Sequence, residues 1–346
     1  MIRRVLVAMS GGVDSSLAAA LLKEQGLEIE GVTMKLTAGV CCDIASAQAA
    51  CGHLGIPHRM IDMQAEFERS VVRDFIEEYR RGRTPNPCIR CNDIIKFDKL
   101  LAFARSEGFD LLATGHYARV DIDRTANRPL LKKAVDQDKD QSYFLYRLTQ
   151  QQLRQVLFPL GEYRKSHVRG LAAGRGLPAA ERPESQEICF VPGNDYRSFL
   201  KERAPEVLRE GDMVMPDGSV VGRHDGVAFY TVGQRRGLGV SAGERLYVVR
   251  IELESNRVVL GRRQDLATNE MTVTDAHFLP FDQLTAPLTV DVRIRYRSAA
   301  VPATIHPKEK DQVRVLFHRP IAGVTPGQAA VFYDGDIVVG GGTIKG

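Results

Sequence analysis

No stretch of the 346 residues approaches the roughly 18 consecutive apolar residues that a membrane-spanning helix needs. The first apolar run breaks after five residues, at Ser10-Gly11-Gly12. A secretory leader needs about 7–15 at that place. A cytoplasmic protein with no membrane partner is therefore expected. Cysteine is scarce too, with six in all. In a cytosolic setting disulfides are rare, so these thiols are expected to react or to bind metal rather than to staple the fold. Charge of one sign is also lacking: 47 Lys plus Arg stand against 43 Asp plus Glu, a net +4. That balance permits a nucleic-acid partner without requiring one, and clustering of the basic residues decides. No internal repeat or low-complexity segment stands out.

What is present is ordinary globular composition, 44% hydrophobic and 26% charged, at a length that implies two or three domains. "RVLVAM" (4–9) has the form of a buried strand, followed by Ser-Gly-Gly and then the helix-forming "SSLAAALLKEQG". A second strand is expected near 29–35, a helix over 43–54 and a third strand at 58–62. Phe67, Val71, Phe75 and Tyr79 recur every four residues and draw one apolar helical stripe. After the loop "RTPNPCIRCN" (83–92), "IIKFDKLLAFARSEG" predicts another helix and "DLLAT" a strand ending at Gly115-His116. Alternation of this kind predicts a doubly wound α/β domain with a parallel sheet over 1–200, its ligand site at the carboxyl ends of the strands. Residues 116–135 read as a hairpin. Beyond about 200 the runs are short, β-rich and split by Gly, Asn-Arg, Asp-Gly and Pro turns. They predict a small β domain over 205–263 and a β-barrel over 267–346.

"SGGVDSS" lies where the first strand meets the first helix. Two glycines there let backbone N–H groups close around phosphate oxygens, with Ser10, Ser15 and Ser16 adding hydroxyls. It is neither a Walker loop nor G-x-G-x-x-G. The plain alternative is a strand–turn–helix junction with Asp14 or Ser15 as N-cap. The full string resembles the pyrophosphatase loop of N-type ATP pyrophosphatases, which split ATP between its α and β phosphates. The resemblance implies that the loop holds pyrophosphate and that Asp14 helps to position Mg2+.

Cys88 and Cys91 form a Cys-x-x-Cys pair, open to redox, half-zinc or iron–sulfur readings, or to two inert core thiols. The flanking Pro, Arg and Asn suggest an exposed loop. A zinc site would need a second nearby pair, which the sequence does not supply. Downstream of the pair there is one cysteine, Cys189, in "ESQEICFVP". Cys51 is expected to pack as a small apolar residue, and the adjacent Cys41 and Cys42 to be structural. His116 is expected to be a packed histidine rather than a catalyst.

"AMSGGVDSS", "TPNPCIRCNDIIKFDKLL", "LLATGHYA", "KDQSYFLYRL", "SQEICF", "YTVGQRRGLG" and "RIRYRS" follow one another over nearly the whole chain. In this order they resemble the tRNA-specific 2-thiouridylases, which place sulfur on C2 of the wobble uridine in certain tRNAs. The resemblance implies ATP and Mg2+ as cofactors, with Ala8, Met9, Ser10, Gly11, Gly12, Val13, Asp14, Ser15, Met34 and Gly115 lining the ATP site. It also implies tRNA as partner, with contacts from Asn86, Pro87, Cys88, Lys139, Asp140, Gln141, Arg295 and Tyr296. A sulfur donor is implied as well: a cysteine desulfurase, a relay protein or inorganic sulfide. The commonly described form has Asp-x-x-Cys in the loop, whereas Cys88 stands at the Asp position here. Two versions of the sulfur step follow. Cys189 carries a persulfide that Cys91 resolves, with Arg83 and Arg90 lowering the thiol pKa. Or Cys88, Cys91 and Cys189 bind a [4Fe–4S] cluster whose fourth iron holds hydrosulfide. Two other functions remain open: an AMP-forming synthetase acting on a small amide or carboxyl group, and an RNA-binding iron–sulfur sensor.

For RNA, "DVRIRYRS" as a strand would put Arg293, Arg295 and Arg297 on one face about 6–7 Å apart; a solvated strand face is the alternative. Asp140 could instead cap a helix. Arg80, Arg81 and Arg83 could meet phosphate or simply favour a helix C-terminus. "GQRRGLG" (233–239) is a further basic loop.

Overall fold

The computed structural model describes residues 2–37, 43–178, 180, 188–241, 243–309 and 311–345. Cys41 and Cys42 lie outside that set. The chain divides into two compact units. The first comprises 1–72, 88–190 and 335–339, the second 73–87, 191–334 and 340–346.

The first unit is built on a parallel sheet. Its strands are β1 (Arg4–Ala8), β2 (Glu28–Lys35), β3 (His58–Asp62), β4 (Leu111–Ala113) and, after the hairpin β5 (Ala118–Asp123) and β6 (Arg128–Lys133), β7 (Val156–Leu157). Their order is β3-β2-β1-β4-β7. Central β1 buries Val5, Leu6 and Val7 completely, as a strand covered on both faces must. Helix α1 (Val13–Glu24) follows β1, and α2 (Ile44–Leu54) follows β2. Helix α1 packs Leu17, Ala18, Ala20 and Leu21 towards Val168 and Ala172. Ala19 and Leu22 turn to the sheet core with Val5 and Val7. These elements match the expected strands and helices to within a residue or two.

Helix α3 (Gln64–Phe67) runs through a π-helical stretch (Glu68–Val72) into α4 (Arg73–Arg80). All four residues of the predicted stripe, Phe67, Val71, Phe75 and Tyr79, are buried. The cysteine pair departs from expectation. It opens a helix, α5 (Pro87–Arg90), which continues as a π-helix over Cys91–Leu100 and as α6 (Leu101–Ser106). Proline's fixed φ suits a helix start, where its missing N–H costs nothing. The helix therefore begins at the second proline instead of after the cysteines. Two short helices, α7 (Gln150–Leu153) and α8 (Lys165–Gly174), complete the unit.

The second unit carries α9 (Tyr196–Arg203) and a four-stranded sheet of β8 (Gly211–Val214), β9 (Val220–His224), β10 (Tyr247–Glu252) and β11 (Arg257–Gly261), ordered β10-β11-β8-β9. Then β12 (Ala267–Phe278), β13 (Leu288–Arg293), β14 (Val301–Pro307), β15 (Val313–Ala322), β16 (Ala329–Asp334) and β17 (Ile337–Ile344) run in the order β12-β15-β14-β13-β16-β17. Pairing of β12 with β17 closes six strands into a barrel, which removes both sheet edges. The expected arginine strand is not formed. β13 ends at Arg293, and the chain turns at once, with Ser298 N–H donating to the Arg295 carbonyl. Arg293 lies over the Tyr333 ring, Arg295 and Tyr296 are half-buried, and Arg297 is exposed. The three arginines thus share no face.

Candidate nucleotide and sulfur site

Glycine and serine shape the loop after β1. Helix α1 takes Gly12 as its N-cap, with no side-chain cap. The plain alternative, Asp14 or Ser15 as N-cap, is thereby overturned: both stand inside the first turn. Four N–H groups at a helix start have no partner within the helix, and a glycine cap leaves them for an anion. Ser15 Oγ accepts from Ser10 N–H at 3.2 Å and lies 3.1 Å from the Gly12 carbonyl, bracing the turn from inside. Gly11 adopts φ +81°, and a side chain there would run into the Asp43 carbonyl. Gly115 presses on the same loop: a Cβ would come within 2.8 Å of the Asp14 carbonyl carbon and the Ser15 nitrogen. Met9 and Met34 are buried beneath, while Ser10 is exposed.

Asp14 is already engaged. Lys165 Nζ donates to its two carboxylate oxygens at 2.6 and 2.7 Å, and the Tyr117 hydroxyl donates at 2.8 Å. Lys165 is buried and stands 5.5 Å from the centre of the Tyr117 ring. It opens α8, where a cation is disfavoured by the helix dipole. Asp14 offsets that cost, and Asp136 caps the helix by accepting from Lys165 N–H at 2.8 Å. As placed, Asp14 sits on an ammonium group. Tyr117 and Lys165 were not among the expected site residues. "GEYRKSHVRG" held one signal: three basic residues at a helix start with no acid in the first turn.

The thiols divide by accessibility. Cys51 is sealed in the core, and burial pushes its thiol up to about 11. Cys91 is buried, whereas Cys88 and Cys189 are exposed, and none of the four is in a disulfide. Although Cys88 keeps exposed surface, the protein packed around its thiol desolvates it and raises its pKa above the ordinary value, Lys96 pulls it down, and the charge of Cys189 raises it further. Cys88 and Cys189 therefore lie within electrostatic reach of one another, although 101 residues separate them in sequence. Next to Cys189, Phe190 packs edge-on against Phe67 at 5.6 Å, tethering that segment to α3. The expected cations are otherwise occupied: Arg90 faces Asp93 at 3.9 Å and Arg83 is bonded to Glu78. Lys96, a residue of no evident role in the sequence, is the cation that acts on Cys88.

Packing joins the loop to the thiols. Gly115 lies against Asp14 and Ser15. Its neighbour His116 packs on Phe97, at 5.8 Å, in the π-helix that begins at Cys91. His116 is buried, with Nδ1 2.6 Å from the Thr114 hydroxyl, and burial holds its pKa well below the usual value. It is neutral and packed, as expected. Among the described residues no group of three or more His, Cys, Asp or Glu is placed to hold a metal ion. Cys88, Cys91 and Cys189 as arranged thus do not form the expected seat for a [4Fe–4S] cluster.

The other expected RNA contacts fare unevenly. Asp140 is buried and accepts from Ala134 N–H, Ser142 N–H and the Ser142 hydroxyl, so it is a turn-forming residue. Gln141 accepts from Tyr117 N–H through its side chain, and Lys139 is half-buried. Asn86 is half-buried and Pro87 buried, just ahead of Cys88. Arg80 pairs with Glu77 and Glu206, Arg81 with Glu77 and Glu78. That cluster is neutralised by its own neighbours.

Comparison with known proteins agrees with this layout. Residues 3–193 match the family described as the tRNA methyl transferase HUP domain, 197–262 the tRNA methyl transferase PRC-barrel domain, and 268–344 the aminomethyltransferase beta-barrel domain. A protein of Acetivibrio thermocellus named tRNA-specific 2-thiouridylase MnmA is 47% identical over 99% of both chains. One of the same name from Carboxydothermus hydrogenoformans is 49% identical over 99% of this chain and 98% of its own. A third, from Clostridium acetobutylicum, is 44% identical over the full length of both. With its HUP-type parallel sheet, small β domain and closed six-stranded barrel, the chain belongs to the MnmA-type tRNA 2-thiouridylase family.

Proposed function

We propose that this protein carries out ATP-dependent 2-thiolation of the wobble uridine of tRNA. Uridine C2 is a poor electrophile whose oxygen is a poor leaving group. The C2 oxygen attacks the α-phosphorus of ATP, the α–β bridging bond breaks, and pyrophosphate leaves with the electron pair. The oxygen now departs as AMP. Ala8 to Ser15, Met34 and Gly115 surround the nucleotide, and the uncapped amides of α1 meet the charge gathering on pyrophosphate. Lys165, seated on Asp14, adds a buried cation beside that loop. Mg2+ arrives with ATP as part of the substrate.

Sulfur comes from a persulfide on Cys189, loaded by a cysteine desulfurase or a relay protein. Its terminal sulfur bonds to C2 as AMP leaves, joining uridine to Cys189 through an S–S link. A second thiolate attacks the Cys189 sulfur. That S–S bond breaks, sulfur stays on C2 as the thiocarbonyl, and the enzyme is left with a disulfide that an external thiol reduces. Cys91 holds the expected position for the second thiol. A second reading gives the step to Cys88, the exposed member of the pair that senses Cys189.

The single observation that carries the proposal is that Cys88, Cys91 and Cys189 belong to the same compact unit as the nucleotide loop, with Cys88 and Cys189 within electrostatic reach of one another. Methyl transfer, which the family descriptions name, calls for neither feature. The test is incubation with ATP, a persulfide donor and unmodified tRNA, with assay of 2-thiouridine, AMP and pyrophosphate. Iron and acid-labile sulfide are measured on anaerobically purified protein, and the disulfide left after one turnover is mapped by mass spectrometry. All three products from iron-free protein support the reading. AMP and pyrophosphate formed with a small amide or carboxylate, and no 2-thiouridine, would assign a synthetase instead. Tight RNA binding by an iron-loaded protein without nucleotide cleavage would assign a sensor.

A further inference from the structure

Arg295 was expected to touch tRNA, yet its guanidinium is held by the protein. Its Nη2 donates to the carbonyls of Val232 and Gly323, each at 3.0 Å, and to the Thr325 hydroxyl. Thr325 is buried, and its hydroxyl reaches the same two carbonyls at 3.2 and 3.0 Å. A Cβ on Gly233 would stand 3.1 Å from Nη2, so the guanidinium fills the space beneath that loop. The loop is also clamped to β10, where Gly233 N–H donates to Val248 O at 2.8 Å and Val248 N–H to Gln234 O at 2.9 Å. The Gln234 side chain closes the turn, accepting from Thr231 N–H at 3.1 Å and donating to Arg236 O at 3.0 Å. At its tip Arg235 and Arg236 are both exposed, and among the described residues neither takes part in an ion pair. Other arginines of the same unit are neutralised: Arg80 and Arg81 by glutamates, Arg262 by Glu244, Arg314 by Glu270.

We propose that Arg235 and Arg236 bind phosphates of tRNA, presented on a braced loop, and that Arg295 is the positioning residue that pins this loop from below. Two adjacent unpaired cations on a rigid turn suit a polyanionic backbone. The Nη2 of Arg295 is turned to two carbonyls and a hydroxyl of the protein, which suits a residue that positions the loop. The inference rests on tRNA being the substrate, and the experiment separates the two.

Binding of tRNA to the full chain is measured across a salt series. If the parent shows no salt-dependent tRNA binding, the tRNA reading itself fails. Given such binding, the double variant Arg235→Gln/Arg236→Gln should lower the slope of log K against log salt by about 0.9 for each duplex phosphate that is no longer neutralised. Adding Arg295→Gln to that double variant should change the slope no further. Thr325→Val, which removes no charge, should weaken binding severalfold by loosening the pin. An unchanged slope in the double variant overturns the phosphate assignment, and a further fall on adding Arg295→Gln makes Arg295 itself a phosphate ligand. Should Arg295→Gln not fold, Thr325→Val still decides: undiminished tRNA affinity in that variant removes the pin.

Discussion

Cys51 and Cys88 lie in one unit, and burial raises the thiol pKa of both. They differ in what surrounds them. Cys51 is 1% exposed on α2, and its sulfur stands 2.5 Å from where a Cβ on Gly31 would be, so it is a packing atom. Cys88 keeps exposed surface, has a lysine pulling its pKa down, and lies within electrostatic reach of a second thiol. A raised pKa alone therefore does not mark an inert cysteine. Access, a nearby cation and a sulfur partner separate a reacting thiol from a structural one.

The largest expected effect tests the sulfur partner. Cys189→Ser should abolish 2-thiouridine formation, because in the proposed reaction Cys189 carries the terminal sulfur to C2. The same variant should still adenylate, since the loop at 10–15 is untouched, and AMP release in the presence of tRNA measures that. Loss of both activities would break the division between nucleotide loop and thiols. Next in size is Lys165→Met. Removing one preorganised charge from a site where charge develops slows such reactions by about 10²–10³-fold. It should lower the adenylation rate with little change in sulfur loading of Cys189, which a persulfide-specific alkylation assay reads. Lys165→Arg should recover part of the rate.

A smaller effect sharpens the comparison directly. Only the thiolate of Cys88 reacts, and its pKa lies above the ordinary value. Its alkylation by iodoacetamide should therefore be slower at neutral pH than that of an unperturbed cysteine, and should rise with pH through a midpoint above the ordinary one. Lys96 lowers that midpoint, so Lys96→Gln should move it further up and slow alkylation several-fold at a fixed pH. A midpoint that stays put would mean that the lysine does not act on this sulfur.

Much of this was legible in the chain. Apolar runs and helical stripes located the parallel sheet, because a buried strand and an amphipathic helix each impose a period on sequence. The nucleotide loop and Cys189 were legible as motifs. Side-chain engagement was not. Arg295 and Asp14 both carry charge in motifs that suggest ligands, yet each is held by partners 28 to 151 residues away. Pairing at such range is a property of the folded chain, and no local pattern encodes it. The arginine stripe failed for a related reason. Alternation over 292–297 gave a strand, but Ser298 turns the chain by accepting from Arg295 N–H through its hydroxyl at 3.3 Å. Hydroxyl-to-backbone bonds of this kind compete with strand pairing.

The smallest effect concerns the inert member of the pair. Cys51→Ala removes one sulfur from a filled site and leaves a small cavity, which costs on the order of 1 kcal/mol. Cys51→Ser keeps the volume but buries a hydroxyl among apolar neighbours, at a cost of roughly 1–3 kcal/mol unless it finds an acceptor. The two variants should therefore rank Ala above Ser in urea midpoint, the order that desolvation demands and that size alone would reverse. Both should thiolate tRNA at the parent rate below their unfolding transitions, because Cys51 is sealed away from nucleotide and thiols alike. A serine variant as stable as the parent would show a polar group or water reaching the site. The contrast with Cys88 would then be one of degree.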